Sequence, residues 1–207
     1  MPRHLFDRLT NHDHAPRCRY DAAEGIAEFV AAPGVARESR AWIISRLFAH
    51  LEDELARRGR FPGFHVALAS RLLSVDGAFE PDTSIFVDAK RAIRARQVEG
   101  YLDTDKGHPV PDLVAEVDRS VDSSHKLAPY FRMGVREAWN WSAKDGASIW
   151  IPDASLHQGF VKADESCVFP SLGRDDLDEL LADCGTEEQF RLSHLLAERI
   201  AAELVTH

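Results

Sequence analysis

A chain of 207 residues, 44% hydrophobic and 29% charged, is long enough to bury a core and is most simply one domain. Its net charge of −9 argues against gripping nucleic acid by bulk electrostatics, although a metal-dependent nuclease carries its own carboxylates and a cation that reverses the local field. No apolar run approaches the length of a membrane span and the N-terminal stretch lacks the apolar middle of a signal peptide, so a cytoplasmic protein with no membrane partner is expected.

Pro16, Gly25, Pro33 and Gly34 interrupt residues 1–36, which read as an irregular N-terminal arm with a short helix over 22–32. Ile44, Leu47, Phe48, Leu51 and Leu55 then recur at helical spacing, with Gly59 as a stop, and predict an amphipathic helix. Phe64, Val66 and Leu68 alternate with His65, Ala67 and Ala69 as in a half-buried strand. Asp76-Gly77 marks a tight turn, and Ile85 and Val87 alternate in a second strand behind Pro81-Asp82. The basic run over 90–96 is either a solvated face or loop, or an edge that touches phosphate.

Beyond a loop over 103–109, Leu113, Ala115 and Val117 point one way along a strand, while Asp112, Val114, Glu116 and Asp118 point the other. Asp122 is a fair N-cap for the following helix, which Gly134 ends; Pro129 either kinks that helix or confines its first turn to a separate piece. Residues 137–142 and 148–151 read as a hairpin whose Trp139, Trp141 and Trp150 either stack on unpaired bases or pack a core or dimer interface. Short strands are expected near 159–163 and 167–169. Two helices then occupy 175–204, with Leu177, Leu180 and Leu181, then Phe190, Leu195, Leu196 and Ile200, on their apolar faces.

Cys18, Cys167 and Cys184 form no CxxC pair and read as reduced, buried thiols. The ten histidines place no HxxxH pair on a periodic helix, so they read as stray surface or core residues rather than a transition-metal site. GxGxxG, GxxxxGKS and GxSxG are all absent, and nucleotide-binding and serine-hydrolase readings lose their anchors. The element order suits an α/β or α+β sheet packed by helices rather than a doubly wound dinucleotide fold.

Cleaving a phosphodiester requires a nucleophilic water and shielding of charge on the phosphate. Mg2+ or Mn2+ supplies both when oxygen ligands hold it. Glu116 and Asp118, two apart on a strand, share a face. Asp82 is placed to meet them from a neighbouring strand, and Lys126 follows near the start of the next helix. By spacing alone the same acids also suit a plain solvated strand face.

The pieces Pro81-Asp82, PDLVAEV, a D-x-x-x-K helix, GVREAW and ESCVFPSL occur in the order that resembles the family called Uma two, grouped with endonucleases of the PD-(D/E)XK, restriction-endonuclease-like superfamily. The resemblance spans roughly residues 38–181. It implies a mixed central β-sheet flanked by helices, with Asp82 as the first acid, Glu116 as the second, and Lys126 as a lysine carried on the helix. Two residues after Glu116, where the superfamily's usual motif has lysine, stands Asp118. Asp118 is either a further metal ligand or a solvated neighbour. Asp112 either joins the site or caps the strand entry, and Glu38 is either an accessory acid or a helix-start residue favoured by the macrodipole.

The expectation is an endonuclease in which Asp82 and Glu116 hold Mg2+ (or Mn2+) and Lys126 assists the attacking water. DNA is the expected polymer, and a homodimer is expected by family analogy. The alternative is a catalytically degenerate copy of the same fold acting as a binding or assembly module. The expected organisation is an arm over 1–36, a nuclease domain over 37–183 and a C-terminal helix over 184–207.

Overall fold

The computed structural model describes residues 18–21, 26–29, 35–60, 63–68, 70–75, 77–118, 123–156, 159–182 and 186–206. The chain begins with β1 (Cys18–Asp21), β2 (Ile26–Phe29), the long helix α1 (Val35–Arg57) and β3 (His65–Leu68). Next come β4 (Leu72–Ser74), β5 (Gly77–Phe79), β6 (Thr83–Phe86), α2 (Ala89–Arg96) and β7 (Leu102–Asp103). β8 (Leu113–Asp118) leads through a 3-10 turn at Ser123–Lys126 into α3 (Leu127–Met133). The hairpin β9 (Glu137–Ser142) and β10 (Gly146–Pro152), then β11 (Phe160–Ala163), α4 (Arg174–Ala182) and α5 (Glu187–Thr206), complete the order.

Two sheets result. The larger has the order β11-β10-β9-β8-β6-β3 and the smaller β2-β1-β5-β4-β7. The larger sheet is mixed because β8 and β9 run parallel, joined by the crossover that contains α3, while its other pairs are antiparallel. β8 is therefore a central strand buried on both faces. Leu113, Ala115 and Val117 join the core beneath α1, α4 and α5, with Leu47, Phe48, Trp139, Leu177 and Ile200. Val114 lies on the opposite face among Phe79, Phe86, Tyr130 and Phe160. This is a mixed α+β fold with helices flanking a central sheet, as expected.

α1 and the two C-terminal helices form where their apolar periods put them, although Phe190 and Leu195 of α5 are exposed rather than turned to the core. Trp139 stacks on Phe48 with ring centroids 5.6 Å apart, and Trp141 is also buried, so both tryptophans pack the core. Pro129 sits in the first turn of α3, where its missing N–H is tolerated, and the preceding turn is indeed a separate 3-10 piece. Gly134 closes α3 with φ 88°, a left-handed conformation that glycine adopts without strain.

Several local expectations are corrected. Within residues 22–32, predicted as helix, Ile26–Phe29 is a strand paired with β1, which in turn pairs with β5. The basic run is helical rather than a loop, and Lys90 and Arg94 lie on its solvated face, one of the two readings of the sequence. It is α2, started by Asp88, whose side chain accepts from Arg91 N–H at 2.9 Å. The β4–β5 hairpin was not foreseen, Leu68 is exposed, and residues 167–169 form no strand. Cys167 is exposed rather than buried; partial desolvation and the Glu137 carboxylate push its thiol up to about 12, away from thiolate chemistry. Asp76, Asp122 and Cys184 lie outside the described residues.

Candidate active site

β6 and β8 are antiparallel, with Thr83 opposite Ala115. Asp82, one residue before Thr83, therefore falls beside Glu116, one residue after Ala115. Asp82 is buried, and its Oδ2 accepts the Val117 N–H at 2.8 Å, which fixes the carboxylate across the strand pair. Glu116 is only 4% exposed, because β8 is covered on both faces.

The crossover after β8 then returns two side chains to Glu116. Lys126 Nζ lies 2.9 Å from Oε2, and the Tyr130 hydroxyl donates to Oε1 at 2.5 Å. Lys126 and Tyr130 are four apart across the junction between the 3-10 turn and α3, so both reach the same side of the strand. A positive charge thus stands beside Glu116 although Asp118 occupies the strand position where lysine is usual. Asp118 is half-buried and accepts from Asn140 Nδ2 at 2.6 Å on the parallel neighbour β9.

Burial is the main reason the Glu116 carboxyl is raised above the ordinary glutamate range. The Asp82 charge raises it further, and Lys126 and Tyr130 act in the opposite direction. Two buried carboxylates side by side, one of them resisting ionisation, are oxygen donors of the kind a hard divalent cation takes. Asp82 and Glu116 fit such an ion.

Asp112 is placed elsewhere. At the opposite end of β8 its carboxylate accepts from Val87 N–H (2.9 Å) and Asp88 N–H (3.2 Å) and pairs with Arg91 at 3.0 Å and Arg136 at 3.5 Å. It ties the end of β6 and the start of α2 to β8. Glu38 belongs to α1, and its side chain lies outside the described set. Tyr130 and Asn140 were missed by the sequence reading. For Tyr130, the four-residue spacing from Lys126 was the available signal.

Comparison with known proteins adds the family. The profile of the Uma2 family, described as "Putative restriction endonuclease", matches residues 5–154, which contain Asp82, Glu116, Lys126 and Tyr130. The chain belongs to the Uma2 family. The match begins earlier and ends earlier than the resemblance read from sequence, leaving β11, α4 and α5 of this Uma2 chain outside it. Among solved structures, a protein from Anabaena variabilis ATCC 29413, titled a "putative nuclease belonging to DUF820", aligns with a TM-score of 0.59 at 16% identity. That alignment covers 86% of this chain and 98% of the other, and at such identity it shows the shared fold. None of the curated proteins compared matches the chain. Among the described residues, no helix is long and apolar enough to cross a membrane.

Proposed function

We propose that this Uma2 chain is a metal-dependent endonuclease acting on DNA, with Asp82 and Glu116 as ligands of Mg2+ or Mn2+ and Lys126 as the cation beside the reacting phosphate. The observation that carries the reading is the buried Glu116 carboxylate, adjacent to Asp82 across the strand pair and 2.9 Å from Lys126 Nζ. When bound, the ion supplies an acidified water and charge neutralisation at the scissile phosphate.

The protein's own part is positional. Val117 N–H holds Asp82 in one orientation, and Tyr130 holds Glu116 from below by occupying Oε1. Oε2 is left toward Lys126. The Lys126 ammonium orients the attacking water or steadies negative charge as it develops on the phosphate. Burial keeps competing water from the carboxylates, which strengthens each of these interactions. A homodimer would present two such sites to two strands; light scattering of the purified chain would test that assembly.

Asp118 at the usual lysine position favours one rival, a degenerate copy that binds without cutting. Incubating purified protein with supercoiled and single-stranded DNA in Mg2+ or Mn2+, beside an EDTA control and Glu116→Ala, separates the two. The proposal expects wild-type cleavage that disappears in both controls. Absence of wild-type cleavage on every DNA form would support the binding module.

A further inference from the structure

α1 and α5 pack side by side over one face of the larger sheet. Where they meet, near the start of α5, they leave an open groove of about 310 Å³. Trp42 and Arg46 line its α1 wall, and Glu187 and Phe190 line its α5 wall. Trp42 is 53% exposed and Phe190 46%, so two large aromatic side chains on adjacent helices stand half in water. Side chains of that size exposed together mark a surface that buries against something.

The charges in this groove narrow what that something is. Arg46 Cζ lies 3.8 Å from the Phe190 ring centroid and 4.7 Å from that of Trp42, so the two rings clamp its guanidinium. Among the described residues, no carboxylate pairs with it. Glu187 is exposed in the first turn of α5 and likewise pairs with no cation among the described residues. Its position suits the helix dipole and leaves the carboxylate in solvent. One cation and one anion thus stand on opposite walls of an apolar groove without meeting each other.

Such a surface is its own complement. In a twofold contact one patch meets itself, with the first residue on the second and the second on the first. A second copy turned about an axis through the groove sets Arg46 of each copy against Glu187 of the other, with the aromatic rings between them. The two charges cancel, whereas the whole chain carries −9, so two acidic copies approach here with little repulsion. We propose that the surface formed by Trp42, Arg46, Glu187 and Phe190 is the interface of a homodimer. It lies across the sheet from Glu116 and Lys126, so dimerisation leaves both Asp82–Glu116 clusters uncovered. The inference stands apart from the nuclease reading, since it concerns assembly alone.

Sedimentation equilibrium of the full-length protein tests it. Wild type should reach twice the 23.2 kDa of one chain. Arg46→Glu sets like charges together at two symmetry-related places and should raise the dimer dissociation constant at least about 100-fold. Glu187→Arg should do the same. The Arg46→Glu/Glu187→Arg double variant exchanges the two charges and should recover most of the wild-type affinity. Trp42→Ala should weaken the dimer at least about tenfold, the loss expected of an aromatic anchor. All of these positions are at least partly exposed, so each variant should keep the wild-type circular dichroism spectrum. A monomeric wild type, a dimer that no folded single variant weakens, or charge variants that do not recover when combined would overturn it.

Discussion

Glu116 concentrates the molecule's electrostatic tension. Its carboxyl is raised by burial and by Asp82, so in metal-free protein the folded state keeps its proton to higher pH than the unfolded chain does. The folded state then binds more protons than the unfolded one, and stability falls as pH rises from the ordinary glutamate value of 4.5 toward the raised folded value. Urea midpoints measured across that window in EDTA should fall for wild type more than for Glu116→Gln. An equal slope for both proteins would mean another group is responsible. Tyr130→Phe leaves Oε1 in the core without its donor and should cost about 1–3 kcal/mol in urea unfolding. The same variant should slow DNA cleavage, because Glu116 then loses the hydrogen bond that fixes Oε1 and is held by Lys126 alone.

Asp112 contrasts with Glu116 on the same strand. It is fully buried yet surrounded by two backbone N–H groups and two arginines, so its charge is compensated within the fold. Asp112→Asn puts an amide where the Val87 and Asp88 N–H groups need an acceptor and releases two partly exposed arginines, and should destabilise by about 1–3 kcal/mol in denaturant titration. Cleavage per folded molecule should stay at the wild-type level, since the residue sits at the far end of β8 from the proposed ligands.

Among elements, legibility in the sequence followed the strength of the periodic signal. α1 was readable because Ile44, Leu47, Phe48, Leu51 and Leu55 form one uninterrupted apolar stripe, and all of them are buried. β8 was readable because its two faces differ in chemistry. The strand β2 was not: AAEGIAEFVAA has helical propensity, and its pairing with β1 overrides that preference. The β4 strand was missed because Leu72 and Leu73 are consecutive and both buried, so no alternation marks a face. α2 presents only the small Ala92 and Ala95 to the core, and its arginines hid the pattern. Those arginines have structural partners: Arg96 reaches Glu52 and the Phe64 carbonyl, and Arg94 reaches the Gly107 carbonyl. Removing the start of this helix with Asp88→Ala should cost about 1 kcal/mol, visible as a lower thermal midpoint.

At the scale of the whole molecule, the sheet divides the labour. One face carries the large apolar core under α1, α4 and α5, where Phe48, Trp139 and Phe169 interlock. The other carries α3 and the smaller sheet, and on this side Glu116 meets Tyr130 and Lys126. The pairing of Asp82 with Glu116 was foreseeable from strand adjacency, whereas the closing of the site by Tyr130 depended on how the crossover turns after β8. Trp139→Ala should remove about 3–5 kcal/mol of stability in denaturant titration, as expected of a core aromatic.

The measurement that tests the central claim most directly is the rate of supercoiled DNA cleavage in Mn2+ by wild type, Glu116→Gln and Asp112→Asn, each normalised to folded protein. The account predicts that Glu116→Gln falls by at least about 100-fold, the scale of losing one group that stabilises transition-state charge, while Asp112→Asn matches wild type. Wild-type rates for Glu116→Gln would contradict it.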